Sequence, residues 1–72
     1  MTKDREIALE QALMSVVGAA AELGMDLKAL SEKANLLTMD HSPYRRVDHP
    51  YVTTACGEIG AAVAQVLQIR RH

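Results

Sequence analysis

The chain has 72 residues, with nine acidic and eight basic side chains and a formal net charge of −1. A chain of this length forms one small domain, and its balanced charge excludes a general electrostatic attraction to nucleic acid or anionic membranes. The single cysteine, Cys56, excludes an internal disulfide and favours the reducing cytoplasm as its location. Because phenylalanine and tryptophan are absent, the core must consist of aliphatic side chains and methionine.

The first predicted element is a long helix over about residues 4–38, with Thr2 or Asp4 capping its first turn. The gaps between its apolar residues alternate between four and three, which is typical of one stripe along a helix that packs against a partner helix. The stripe consists of Leu9, Leu13, Val16, Ala20, Leu23, Leu27, Leu30, Ala34 and Leu37. This regularity predicts helix-on-helix packing of the coiled-coil kind.

Residues 23–26 argue against a continuous first helix. Gly24 can adopt the left-handed conformation that ends a helix, Met25 can fold back on the preceding turn, and Asp26 can cap a new helix. The unbroken apolar spacing favours continuity, whereas this local turn chemistry favours a break. Both alternatives stay open, and both give an all-α chain.

A break at Gly24 would give the chain the outline of a helix-turn-helix DNA-binding unit, with residues 27–35 as the recognition helix. Ala20, Gly24 and Leu30 have the spacing of its small residue, turn glycine and core aliphatic residue. The side chains offered to DNA would be Lys28, Ser31, Glu32, Lys33 and Asn35. Because acidic residues lie within and beside this set, it is poorly suited to phosphates, and DNA binding is the alternative prediction.

The connection between the two predicted helices, about residues 39–50, is the segment least like a packing scaffold. It contains both prolines and two of the three histidines, and one tyrosine lies within it while the other follows it directly. Tyrosine and arginine are enriched where protein interfaces hold their binding energy. We therefore predict that a partner protein binds at Tyr44, Arg45, Arg46 and Tyr51.

Two Asp-His pairs in the connection, Asp40-His41 and Asp48-His49, are chemically acceptable ligands for zinc or another divalent ion. Their spacing matches no established metal motif, and the aspartates are explained more simply as helix caps. We therefore predict that the protein holds no metal and no cofactor.

The second predicted helix covers about residues 51–70. Its apolar stripe again has gaps of four and three and consists of Val52, Cys56, Ile59, Val63 and Val66. A polar stripe of Thr54, Glu58, Gln65 and Gln68 would not face lipid, so we predict an amphipathic helix outside the membrane. Gly57 and Gly60 cost helix stability, which predicts a close approach to another helix.

The two predicted helices form a hairpin in which the shorter helix covers only about half of the longer one. Residues 12–21 carry one polar side chain, Ser15, and a helix that is apolar all round is normally buried all round. A second chain is the simplest cover, so we predict a homo-oligomer, in its simplest form a dimeric four-helix-type bundle. The predicted contact between copies consists of Leu13, Val16, Val17, Ala20 and Ala21.

These expectations define a single all-α domain over residues 1–72 with no catalytic residues. No serine or cysteine lies in a recognisable nucleophile turn, and there is no phosphate-binding glycine loop. We predict a small cytoplasmic protein-interaction module that acts as a regulator, adaptor or chaperone. The alternative remains a helix-turn-helix regulator that uses the segment from Gly24 to Asn35.

Overall fold

The computed structural model describes residues 2–40, 42–48 and 50–71, except for the side chain of Thr2. Over these residues the chain forms three α-helices and no strand: α1 (Thr2–Glu22), α2 (Leu27–Met39) and α3 (Tyr51–Arg70). The prediction of an all-α chain is therefore confirmed. The predicted first helix, for which continuity and a break at Gly24 were both open, is divided into α1 and α2.

The first helix ends at a left-handed glycine. Gly24 has a φ of 87°, a conformation that costs a residue with a Cβ about 1–2 kcal/mol. The Gly24 amide donates to the Ala21 carbonyl at 3.0 Å, and the Met25 amide donates to the Ala20 carbonyl at 2.9 Å. This pair of bonds is a Schellman ending, which satisfies carbonyls that the helix leaves free. Continuity through Gly24, one of the two alternatives, is therefore wrong.

The second helix begins at the side-chain cap that the sequence indicated. The Asp26 carboxylate accepts hydrogen bonds from the backbone amides of Lys28 at 2.9 Å and Ala29 at 3.4 Å. These are two of the amides that a helix start leaves without an internal partner. The turn residues Gly24 and Asp26 therefore determine where α1 ends and α2 begins. The apolar spacing continues across this break, but it does not make the two helices one.

The core lies where α3 packs against both other helices, while α1 and α2 contact each other far less. Its buried side chains are Val17, Ala21, Leu27, Ala62, Val63 and Val66. Leu13, Met14, Ala20 and Leu30 pack against them and are half-buried. Over the described residues the core contains no polar or charged side chain, so it is held by hydrophobic contact alone.

The chain is flat, with principal extents of 36 × 30 × 16 Å. Because α3 contacts both other helices and α1 and α2 contact each other little, α3 is the central helix of the three. Each helix buries one side against its neighbours and leaves much of the rest open.

The predicted stripe of α3 faces inwards: Val52, Val63 and Val66 are buried, and Cys56 and Ile59 are half-buried. In α2, the stripe residues from Leu27 to Leu37 are also buried or half-buried. In α1 the prediction of an inward stripe is wrong at Leu9, Val16 and Leu23, whose side chains are exposed. Here α1 packs instead through a neighbouring set of apolar residues centred on Val17 and Ala21.

The glycines of α3 do not permit a close helix approach within the chain. A Cβ placed on Gly57 or Gly60 would meet no atom of another element within 4 Å. Both residues lie on the exposed side of α3. The explanation offered for them from the sequence is therefore wrong for contacts inside one chain.

Candidate functional site

The connection between α2 and α3 is held by one arginine. The Arg45 guanidinium donates to the Val47 carbonyl at 2.8 Å, to the Met39 carbonyl at 3.2 Å and to an Asp48 carboxylate oxygen at 3.3 Å. Its side chain is only 8% exposed, while that of Asp48 is 93% exposed. Because Met39 is the last residue of α2, these bonds tie the end of that helix to the residues that lead into α3.

Ser42 adds a second set of bonds at the same corner. Its hydroxyl donates to the Leu37 carbonyl at 2.6 Å and accepts from the Tyr44 amide at 3.3 Å. The Arg45 amide also donates to the Ser42 carbonyl at 3.1 Å, which closes a turn. The connection is therefore defined by hydrogen bonds of its own, although it contains no regular helix or strand in its described part.

The four residues predicted to bind a partner protein divide into two kinds. Tyr44 and Tyr51 are 76% and 65% exposed, and Arg46 is also exposed. Arg45 instead turns inwards and uses its donors within the chain. Tyr44, Arg46 and Tyr51, which we call the connection surface, are thus the predicted residues that present side chains to solvent.

Neither aspartate of the connection caps α3 through its side chain. The helix begins after Pro50 with no side-chain cap, and the Asp48 carboxylate accepts from Arg45 instead. The Tyr51 amide donates to the Asp48 backbone carbonyl at 2.9 Å. The expectation that the Asp48 side chain caps the second helix is therefore wrong.

Two of the four possible metal ligands in the connection, His41 and His49, lie outside the described residues. Asp40 and Asp48 are both exposed. Within the described part of the chain, no three histidine, cysteine, aspartate or glutamate side chains come together as a set that could hold an ion. The predicted lack of a metal stays a prediction.

The residues predicted to join two copies point in different directions. Val17 and Ala21 are buried in the chain's own core, and Leu13 and Ala20 are half-buried beside them. Val16, the neighbour of Val17, is 66% exposed. Of the five residues, Val16 is therefore the one whose side chain is mainly available to a second molecule without change in the fold.

An exposed apolar stripe on α1 shares Leu9, Val16 and Leu23 with the predicted stripe but continues through Ala12 and Ala19 in place of Leu13 and Ala20. Leu9, Ala12, Val16, Ala19 and Leu23 have gaps of three and four, and all five are exposed. We call these residues the outer stripe of α1. Its spacing is readable from the sequence, but only the structure shows that Val17 and Ala21, and not this stripe, enter the core.

The helix-turn-helix alternative requires two helices joined by a turn, and α1 and α2 are joined in this way at Gly24, but its predicted reading residues are not all exposed. Lys28, Glu32 and Lys33 are exposed, whereas Ser31 and Asn35 are half-buried. The Asn35 side-chain oxygen is buried and has no hydrogen-bond partner. A base-reading asparagine must present its amide to DNA, so Asn35 does not serve this role in the described conformation.

An open groove of about 490 Å³ runs between α1 and α3. Its polar lining comprises Glu10, Gln11, Glu58 and Gln65, and its apolar lining includes Leu13 and Met14. Glu10 and Glu58 are both exposed to solvent.

Among the described helices, α3 is long and apolar enough to cross a membrane by length and composition. Its polar stripe of Thr54, Glu58, Gln65 and Gln68 is exposed, as the sequence indicated. Val63 and Val66 on its other side are buried against the neighbouring helices. The predicted location of α3 outside the membrane stays a prediction.

Comparison of the chain with protein-family models, with curated proteins and with solved structures finds no match. Its function must therefore be argued from its own residues.

Proposed function

We propose that the protein is a small helical protein-interaction module that acts as a regulator, adaptor or chaperone, and that it binds a partner protein through the connection surface. The observation that carries this proposal is the arginine-held corner. Arg45 and Ser42 fix the connection from within, while Tyr44 and Tyr51 stand out from it. A surface that is ordered before binding loses little conformational entropy when a partner docks.

The chemistry of the connection surface suits protein recognition. Two tyrosines supply large amphipathic contact area, and Arg46 supplies a cation with several donors. The net charge of −1 gives no matching preference for a polyanion. The proposal includes no catalytic activity, no metal and no cofactor, and it places the protein in the cytoplasm as a homo-oligomer, in its simplest form a dimer.

The experiment is affinity capture from the native organism with two matched double variants. Tyr44→Ala/Arg46→Ala removes exposed side chains from the connection surface, and Arg45 is left intact because its loss would disturb the corner. Lys28→Ala/Lys33→Ala removes two exposed cations from α2 and serves as the control. We expect the wild type and the lysine variant to retain the same protein partner and the connection variant to lose it.

The second candidate function is DNA binding, favoured by the left-handed turn at Gly24 and the capped start of α2. Binding of the protein to DNA would weaken steeply with increasing salt concentration, because lysine contacts to phosphates release counterions. In the same capture experiment, recovery of a specific DNA fragment that is lost with Lys28→Ala/Lys33→Ala and unaffected by Tyr44→Ala/Arg46→Ala would refute the first proposal and support this one.

A further inference from the structure

The isolated chain leaves more surface exposed than its mass accounts for. A compact monomer of 7.9 kDa exposes about 4,400 Å², by the usual scaling of surface with mass. This chain exposes 5748 Å². The surplus of about 1,300 Å² is larger than the roughly 800 Å² that each partner buries in a standard protein complex. The surplus is therefore large enough for a second chain to cover one side of the molecule.

The outer stripe of α1 is the apolar surface best shaped for such a partner. Its residues, Leu9 to Leu23, recur with the three-and-four gaps of a coiled-coil seam over about 21 Å of helix, at about 1.5 Å per residue. Leu23, at the end of the stripe, is 85% exposed. The stripe lies on a different side of α1 from Val17 and Ala21, so it is open while the core is packed.

The charges at the two ends of the stripe are opposite. Arg5 lies one turn before Leu9 on the same side of the helix, and Glu22 lies beside Leu23 at the other end. The Glu22 carboxylate is 80% exposed and forms an open pair with Arg70 at 3.5 Å. Two parallel copies of α1 would bring Arg5 beside Arg5 and Glu22 beside Glu22. Two antiparallel copies would instead bring each Arg5 beside the other copy's Glu22.

We propose that a second copy of this chain covers the outer stripe of α1, with the two α1 helices antiparallel. The arrangement has two-fold symmetry, so one stripe supplies both halves of the contact. In the antiparallel register in which Leu9 faces the second copy's Ala19 and Ala12 faces its Val16, Arg5 lies opposite Leu23 and next to Glu22. Large side chains then meet small ones through the middle of the seam, and the aliphatic stem of Arg5 covers Leu23 at each end.

This inference assigns a contact surface to the homo-oligomer named in the proposed function. It rests on the homo-oligomer alone and not on the proposed binding of a partner protein. The surface differs from the five residues predicted from the sequence, of which it retains only Val16. The connection surface is separate, because Tyr44, Arg46 and Tyr51 lie outside the stripe. We therefore expect Tyr44→Ala/Arg46→Ala to leave the dimer unchanged, so that failure of either proposal can be recognised by itself.

The first experiment is sedimentation velocity over a range of concentrations, with Val16→Glu and a matched control, Ala64→Glu. Both positions are exposed on helices, Val16 on α1 and Ala64 on α3. We expect the wild type and Ala64→Glu to be dimers at micromolar concentration. Val16→Glu should raise the dissociation constant at least about 100-fold, because an unpaired carboxylate would be buried at the centre of the seam. Its circular dichroism spectrum should remain helical.

The second experiment tests the orientation by reversing charges. Arg5→Glu and Glu22→Lys should each raise the dissociation constant about 5- to 10-fold, the scale expected of rim ion pairs present twice. The double variant should return close to the wild-type value, because the reversed charges again attract. If both single variants weaken the dimer and the double variant does not recover, the antiparallel arrangement is wrong.

Two further results would overturn the proposal. One is a wild-type chain that is a monomer at micromolar concentration. The other is a dimer that Ala64→Glu dissociates and Val16→Glu does not, which would assign the contact to the exposed small residues of α3.

Discussion

The helices α1 and α3 differ in length by one residue, and both carry apolar residues with gaps of four and three, yet they use that pattern in opposite ways. In α3 the stripe predicted from the sequence is the inward one, with Val63 and Val66 in the core. In α1 the corresponding positions at Leu9 and Val16 face outwards. The comparison shows that apolar spacing identifies a packing face without saying what it packs against.

The reason for the difference lies in the composition of the two helices. α3 has a polar stripe, with Glu58 and Gln65 opposite its apolar side, so one orientation is clearly preferred. Residues 12–21 of α1 have no such polar side and carry two apolar faces. The chain uses the one centred on Val17, and Val16 is left on the other.

The largest expected effect on stability comes from comparing the same substitution at two neighbouring residues that lie on different faces of α1. Val17→Asp places a charge among the core valines of α3 and should cost more than about 3 kcal/mol, enough to unfold so small a domain. Val16→Asp, at a side chain that is already exposed, should leave the separated chain helical. Circular dichroism during urea titration measures both. Equal losses of stability would mean that both faces of α1 are packed within one chain.

The next effect concerns how α3 is attached. Arg45→Ala removes three hydrogen bonds that join the end of α2 to the residues before α3, and should cost about 1–2 kcal/mol. Hydrogen exchange should accelerate at the end of α2 and the first turn of α3 and remain unchanged in α1. Arg46→Ala is the control, since its side chain is exposed. Uniform acceleration along all three helices would contradict a role confined to the connection.

A smaller effect on stability is expected at Gly24, in the turn between α1 and α2. Gly24→Ala forces a Cβ into a left-handed conformation and should lower the free energy of unfolding by about 1–2 kcal/mol. Gly18→Ala, inside α1 and with no neighbour within 4 Å, should instead raise it slightly. Thermal unfolding of the two variants checks the contrast. If Gly24→Ala were harmless, a continuous helix would have to be reconsidered.

The smallest effect tests whether the exposed side of α3 is open. Gly60→Ala has space for its methyl group and should stabilise the helix by about 0.5–1 kcal/mol. Gly57→Ala should behave in the same way and provides a repeat at a second position. Denaturation at low concentration, where copies are separated, makes the measurement. A loss of stability would show that something packs on this side of α3.

The fold was predictable where local chemistry or a polar stripe left one choice. Gly24 and Asp26 indicated the turn and the helix cap, and the apolar stripe of α3 indicated which side of that helix faces the core. The face used by α1 was not predictable, because neighbouring valines at positions 16 and 17 are equal in hydrophobicity and only tertiary packing distinguishes them. Likewise, nothing in the sequence separates Arg45 from Arg46, since their roles depend on which one the turn at Ser42 directs towards the Met39 carbonyl.

The placement of the aromatic residues has a consequence for spectroscopy. The chain has two tyrosines and no tryptophan, and both tyrosines stand at the connection. Ultraviolet absorption and intrinsic fluorescence above the peptide bands therefore report on that corner alone, while the aliphatic core is silent to both. Quenching of tyrosine emission by iodide would register a partner docking at the connection. The same signal would hardly change when two copies meet through α1, so one dye-free measurement can tell the two kinds of binding apart.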